Sequence, residues 1–259
     1  MTDRIRLDGR VALVTGAAGV IGTETIRLLA ARGACIVAVD QDAEGLKQAV
    51  TGLPAHAEAL AVVADVTREE DVAGYVAHAL GKFSRIDVFF NNAGIEGDIL
   101  PIVDSSVENF RRVLEVNVVG VFLGMKHVLP AMLKQNSGSI INTASIAGLI
   151  GTPDIAAYSA SKHAVIGLTK TAALECTGTN VRVNCVCPGM IDSRMLSAIV
   201  TGRNKGAPVP PDKVVDRIPA RRLGLAAEVA PIVAFLASDD ASYVSGSAYT
   251  IDGGRTSSS

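Results

Sequence analysis

The chain has 259 residues, of which 49% are hydrophobic and 19% charged, and its net charge is −2. Such a length and apolar content exclude a disordered chain and predict one large domain, 1–259, with fully buried strands. The basic residues are scattered, which argues against nucleic acid or an anionic membrane as the main partner.

The opening MTDRIRLDGR is charged and lacks the apolar core of a signal peptide. The apolar stretch from Val113 to Leu133 is interrupted by Glu115 and Lys126, so a soluble, cytoplasmic protein is expected. Cys35, Cys176, Cys185 and Cys187 show no metal-ligand spacing, and His56, His78, His127 and His163 are isolated from one another. No metal site is expected, and the cysteines read as reduced, with Cys185 and Cys187 on one face of a strand.

In chain order, short apolar runs alternate with segments of helical period. Val11 to Val14, Cys35 to Val39, Leu60 to Val63, Ile86 to Phe90, Ser139 to Asn142, Val181 to Val186 and Ala248 to Ile251 read as strands. Most are continuously apolar, as strands buried on both faces are. Ile21 to Ala31, Ala43 to Val50, Glu69 to Leu80, Val107 to Lys134, Ile155 to Cys176 and Glu228 to Leu236 read as helices, several stopping at Gly33, Gly52, Gly81 or Gly178. The alternation predicts a parallel sheet covered on both faces. Met190 to Arg222 breaks the rhythm with Pro208, Pro210, Pro211 and Pro219, and is expected to be a substrate-binding loop or lid. The SSS ending is expected to fray.

The first strand runs into a turn with Gly16, Gly19 and Gly22 and then a helix, the context in which glycines let backbone approach a pyrophosphate at a helix N-terminus. The second strand ends at Asp40, where a carboxylate would bond the adenosine ribose of NAD and repel a 2′-phosphate. Neither Ala17, Ala18 nor Gln41 is basic, so NAD is expected over NADP. Further on, Tyr158 and Lys162 stand four apart on one helix face, thirteen residues after Ser145. An ammonium beside a phenol is expected to lower the phenol's pKa from about 10.

With the turn at Thr15 to Gly22, Asn91-Asn92-Ala93-Gly94, and Ser145, Tyr158 and Lys162 in this order, the chain resembles the short-chain dehydrogenases/reductases from Val11 to Gly254. The resemblance implies an α/β fold: a three-layer, Rossmann-type, doubly wound parallel sheet of seven strands. It also implies a homotetramer joined through the two long central helices. It assigns catalysis to Asn117, Ser145, Tyr158 and Lys162. The cofactor set it implies is Gly16, Gly19, Val20, Ile21, Gly22, Asp40, Gln41, Asp65, Val66, Asn92, Ala93, Gly94, Tyr158, Lys162, Pro188, Gly189, Ile191 and Ser193. Two positions depart from the family pattern: Val20 stands where the middle glycine is usual, and Ser193 where a threonine bonds the carboxamide.

The chemistry implied is hydride transfer between nicotinamide and a secondary alcohol or ketone. Tyr158 would exchange the proton, Lys162 lower its pKa and hold the ribose, Ser145 bond the substrate oxygen, and Asn117 hold a water in a proton relay. Glu96, Ile146, Ile155, Met190, Met195 and Leu196, with Leu149, Ile150, Pro153 and Ile199 near them, predict a mostly apolar pocket for a hydrophobic or cyclic substrate. Arg194, Arg203 and Lys205 would otherwise receive an anionic substrate or remain solvated loop charges. A 3-oxoacyl thioester reductase and, in another class, a non-catalytic NAD-binding regulatory protein are the other readings.

Overall fold

The computed structural model describes residues 5–207 and 209–258. Seven strands form one parallel sheet in the order β3-β2-β1-β4-β5-β6-β7. They are β1 Val11–Thr15, β2 Cys35–Asp40, β3 Ala59–Val63, β4 Val88–Asn91, β5 Gly138–Thr143, β6 Val181–Pro188 and β7 Ala248–Ile251. The chain winds outward from β1 to β3, then returns to place β4 on the other side of β1. Where the winding reverses, the connections leave β1 and β4 in opposite directions and open a crevice at the strands' carboxyl ends.

The helices are α1 Val20–Ala31, α2 Ala43–Thr51, α3 Glu69–Phe83, α4 Val107–Leu114, α5 Gly120–Gln135, α6 Ala156–Glu175, α7 Arg194–Arg203, α8 Pro211–Val215 and α9 Ala226–Ala237. Consecutive strand residues point to opposite faces, and each face has its own apolar cluster. Leu13, Val37, Phe89, Ile140, Cys185 and Cys187 meet Val72 and Tyr75 of α3, Val128 of α5 and Val165 of α6. Ala12, Val14, Ile36, Phe90, Ile141 and Val186 meet Ile26 and Leu29 of α1, Leu46 of α2 and Val233 of α9. Two covered faces explain the continuously apolar strands. Cys185 and Cys187 do share a face, and all four cysteines are free.

Several boundaries differ from the sequence reading. Gly81 lies inside α3, which ends at Ser84 in a left-handed conformation with φ 62°. A serine there closes the helix as a glycine would. The long helix expected from Val107 to Lys134 is divided by one π-helical turn, Glu115–Val119. Met190 to Arg222 holds α7 and α8, so it is only partly irregular; Pro208 lies outside the described residues. Of the SSS ending, Ser257 sits in a short 3-10 turn and its N–H donates to the Gly254 carbonyl at 3.1 Å.

By length and composition Val107–Gln135 would suffice to cross a membrane, yet 44% of its apolar window is buried in the fold. Phe122 and Leu133 on α5 and Leu174 at the end of α6 remain exposed.

Candidate active site

The turn after β1 is shaped by what its glycines exclude. Gly16 has φ +63°, and a Cβ there would meet the Ala93 Cα at 2.9 Å. A Cβ on Gly22 would lie 2.0 Å from the Gly16 carbonyl oxygen, so Gly22 lets α1 sit directly against the turn. Val20 is the first residue of α1, and Gly19, which precedes it, offers no side chain to cap the helix. The first N–H groups of α1 therefore lack a capping partner and suit an anion. Asn92 braces this turn: its amide donates to the Thr15 and Gly16 carbonyls at 3.2 Å, and its backbone N–H donates to the Thr15 hydroxyl at 2.9 Å.

At the end of β2, Asp40 accepts from the Ala18 N–H at 2.9 Å and the Asp42 N–H at 3.1 Å. These bonds hold its carboxylate at the rim of the crevice beside Gln41. Asp65, after β3, accepts from the Thr67 N–H and hydroxyl at 2.9 and 2.8 Å and lines the same crevice with Val66. Thus one end of the cavity carries Asp40, Asp42 and Asp65.

On the opposite side of the switch point, β5 delivers Ser145 and α6 delivers Tyr158 and Lys162. The 3-10 turn Ile146–Gly148 follows Ser145, and a Cβ on Gly148 would meet the Lys162 carbonyl oxygen at 2.6 Å. That close approach brings Ser145 to the α6 face bearing the tyrosine. The Ser145 hydroxyl accepts from the Ala147 N–H at 3.2 Å, donates to the Pro188 carbonyl at 3.4 Å, and lies close enough to the Tyr158 phenol to lower its pKa. Lys162 Nζ donates to the Thr143 carbonyl at 2.8 Å and lies 5.5 Å from the Tyr158 ring centroid.

The electrostatics differ from the sequence reading. Burial pushes the Tyr158 phenol up to about 12; the nearby Ser145 hydroxyl opposes this, and the Glu96 charge adds to it. Burial also brings Lys162 down to about 8. The sequence predicts only the ammonium's attraction. Enclosure of both groups in protein, where water no longer solvates a phenolate or an ammonium, outweighs it in the cofactor-free chain.

Asn117 is wholly buried in the π turn. Its amide donates to the Ile95 carbonyl at 2.9 Å and the Ser161 hydroxyl at 3.0 Å, while its oxygen accepts from the Ile95 N–H at 2.8 Å. A Cβ on Gly94 would lie 3.1 Å from that oxygen and 3.4 Å from Lys162 Nζ, so Asn117 and Lys162 approach the same spot from two sides. Asn117 stands behind the cavity wall and does not line it.

A cavity of about 910 Å³ joins these groups. Gly16, Gly19, Val20, Ile21, Asp40, Gln41, Asp65, Val66, Asn92, Ala93 and Gly94 line it, as do Ser145, Tyr158, Lys162, Pro188, Gly189, Ile191 and Ser193. On the substrate side, Ile146, Ile150, Pro153, Ile155, Met190, Met195, Leu196 and Ile199 line it as expected. Gly22 does not, because it is spent on helix packing. Leu149 and Lys205 also lie outside the lining. Glu96 is a further correction: 9% exposed, it lies behind the wall and accepts from Arg194 at 3.2 Å. Ser193 caps α7, accepting from the Leu196 N–H at 3.2 Å.

The sequence reading does not single out Thr15 and Thr143. The Thr143 hydroxyl donates to Asn92 Oδ1 at 3.1 Å, so β1, β4 and β5 are tied together beneath the cavity. Each is a strand-end threonine with no local pattern to mark it. Lys213, Arg217 and Arg255 also line the cavity unannounced, since they reach it from the irregular segment and the C-terminal turn.

The residues present fit a nicotinamide dinucleotide: an uncapped helix N-terminus over a glycine turn, a carboxylate at the end of β2, and a buried Ser-Tyr-Lys set across the switch point. Fold and site define an oxidoreductase of the Rossmann type acting on CH–OH groups.

A family model described as enoyl-(acyl carrier protein) reductase matches residues 16–256. Levodione reductase of Leifsonia aquatica is 41% identical, covering 97% of this chain and 96% of that protein. A crystal structure of levodione reductase superposes with a TM-score of 0.93 at 40% identity, over 98% of this chain and 100% of that one. Cyclohexanol dehydrogenase of Acinetobacter sp. (strain SE19) is 41% identical, covering 97% of each chain. NAD+-bound xylitol dehydrogenase has a TM-score of 0.90 at 40% identity, covering 96% of this chain and 99% of that one. The chain belongs to the short-chain dehydrogenase/reductase family.

Proposed function

We propose that this protein is an NAD-dependent dehydrogenase that interconverts an apolar, cyclic secondary alcohol and its ketone. The observation that carries this reading is the buried Tyr158 phenol. It lies beside the Ser145 hydroxyl, is faced by the Lys162 ammonium, and opens onto a cavity walled by Ile146, Ile155, Met195 and Leu196.

When bound, NAD supplies the hydride acceptor or donor. The chain's own residues handle the oxygen and the proton. Ser145 donates to the substrate oxygen and holds it against Tyr158. Tyr158, neutral up to about pH 12 in the cofactor-free chain, is ready to donate to a ketone oxygen. In the reverse direction the positive charge of Lys162 favours the phenolate that takes the alcohol's proton. Asn117 fixes Ile95 and Ser161 around Lys162, a position from which a proton could pass on from the ammonium. The segment 190–222 would act as the substrate lid, with Ser193 fixing the start of α7.

Asp40 favours NAD over NADP, because its carboxylate would face a 2′-phosphate with like charge. The same residue weighs against an acyl carrier protein reductase using NADPH. The exposed Phe122, Leu133 and Leu174 on α5 and α6 support a homotetramer joined through these helices; a Leu174→Glu variant that stays tetrameric by light scattering would argue against that packing. The activity itself is tested with purified protein and NAD+ on a panel of cyclic, linear and polyol secondary alcohols at alkaline pH. Saturable NADH formation with cyclohexanol-type substrates is expected. Oxidation confined to polyols, or tight NADH binding without turnover of any alcohol, would sink the reading.

A further inference from the structure

The cavity is electrically lopsided. Its only lining carboxylates among the described residues, Asp40, Asp42 and Asp65, sit at the β2 and β3 end. Arg194, Arg203, Lys213, Arg217 and Arg255 line the other end, and there no Asp or Glu lines the wall among the described residues. Most of the nearby acids are already engaged: Glu96 with Arg194 at 3.2 Å, Asp216 with Arg221 at 3.1 Å, and Asp154 with Arg203 at 3.9 Å. Among the described residues neither Lys213 nor Arg217 has an ion pair or a side-chain hydrogen bond. Burial lowers the Arg203 pKa, Asp154 opposes this, and the nearby Arg217 charge adds to the lowering, so Arg203 and Arg217 stand close together in the cavity wall.

Placement assigns this group to the substrate rather than the dinucleotide. Arg203 donates to the Pro153 carbonyl at 2.7 Å, which ties it to the loop between Ser145 and Tyr158. The uncapped N-terminus of α1, suited to the pyrophosphate, belongs to the turn held by Asp40. An apolar wall of Ile150, Pro153, Met195 and Ile199 lies beside the cations. Resting on the secondary-alcohol reading above, we infer that the outer end of the cavity is an anion subsite formed by Arg203, Lys213 and Arg217. The preferred substrate is then an alicyclic hydroxy acid or oxo acid, its ring on the apolar wall and its carboxylate between these cations. A guanidinium and a carboxylate bond with geometric fit as well as charge, and exposed Lys213 and Arg217 make the preference salt-sensitive.

The experiment compares kcat/KM for 4-hydroxycyclohexanecarboxylate and for cyclohexanol with NAD+, in the parent and in the Lys213→Ala/Arg217→Ala double variant. The parent is expected to prefer the acid at least tenfold at low salt, and less at high salt. The variant should lose at least tenfold of that preference, with the KM for NAD+ unmoved, and Lys213→Arg/Arg217→Lys should restore it. Equal rates for acid and neutral alcohol in the parent, or equal losses on both in the variant, would overturn the subsite. A parallel calorimetric titration of NADH-loaded protein with cyclohexanecarboxylate needs no turnover. If neither alcohol is oxidised but this acid binds and the variant weakens it at least tenfold, the subsite stands and the dehydrogenase reading falls. Absence of saturable binding overturns the subsite.

Discussion

The Lys162 ammonium lies 5.5 Å from the centroid of the Tyr158 ring, one helical turn along the same face of α6. Its Nζ donates instead to the Thr143 carbonyl at 2.8 Å. Burial raises the phenol's pKa, and the neighbouring Ser145 hydroxyl lowers it. Replacing Tyr158 by Phe removes the proton carrier and leaves the fold's packing intact, since the ring stays. A fall in kcat of about 10²–10⁴-fold is expected, with NADH binding measured by fluorescence largely kept.

Lys162 also sets a pH dependence of stability. Its pKa falls from 10.5 unfolded to about 8 folded through burial. Between those values the unfolded chain binds the extra proton, so this contribution to stability is present above about pH 10.5 and lost as pH falls through about 8. The cost at neutral pH is of order 3 kcal/mol, part of which the bond to Thr143 offsets. Lys162→Met is expected to abolish turnover yet to melt no lower than the parent at pH 7. Its advantage should shrink by pH 10, as read by thermal unfolding of the cofactor-free proteins.

Asp40 is held by the Ala18 and Asp42 N–H groups, so its charge cannot swing away from a ligand at the end of β2. Asp40→Ser should move the ratio of kcat/KM for NAD+ over NADP+ toward NADP+ by about 10-fold or more, because a like charge is removed and a hydroxyl gained. An unchanged ratio in steady-state assays would place the cofactor's ribose elsewhere.

Gly22→Ala tests the turn through packing alone. The added methyl would overlap the Gly16 carbonyl at 2.0 Å, where backbone rather than a flexible side chain must shift. Destabilisation of about 1–3 kcal/mol is expected, together with weakened NADH binding by titration, since the α1 N-terminus must move away from the turn.

Asn117→Ala removes both partners of the Ile95 backbone and the donor to Ser161. Leaving those buried groups unsatisfied costs about 1–3 kcal/mol each, so chemical denaturation should show a clear loss of stability beside any loss of kcat. Loss of activity with unchanged stability would assign Asn117 to proton transfer alone.

Much of the fold is legible in the chain. Seven apolar runs become the seven strands, with edges shifted by one or two residues, because burial on both faces of the central strands β1, β2 and β4 leaves a continuous apolar signature. Residues that chemistry restricts are equally legible: Gly16 at φ +63°, Asp40 at a strand end, and Tyr158 and Lys162 one turn apart. Less legible are departures that local propensity does not mark. The π turn at Glu115–Val119 sits within a run of helical period, and Ser84 closes α3 where Gly81 would be the local choice.

What the sequence determines by itself is the order of strands and helices, the glycine turn, and the spacing that puts a phenol and an ammonium on one helix face. These depend on neighbours within a few residues, and the side-chain period of each element carries them. Only the tertiary structure decides the environment those groups share: that Tyr158 is raised to about 12 by burial rather than lowered, that Glu96 lies behind the wall with Arg194, and that Arg203, Lys213 and Arg217 gather at the end opposite Asp40 and Asp65. Desolvation and through-space charge depend on which distant segments close over a site, and no local pattern encodes that.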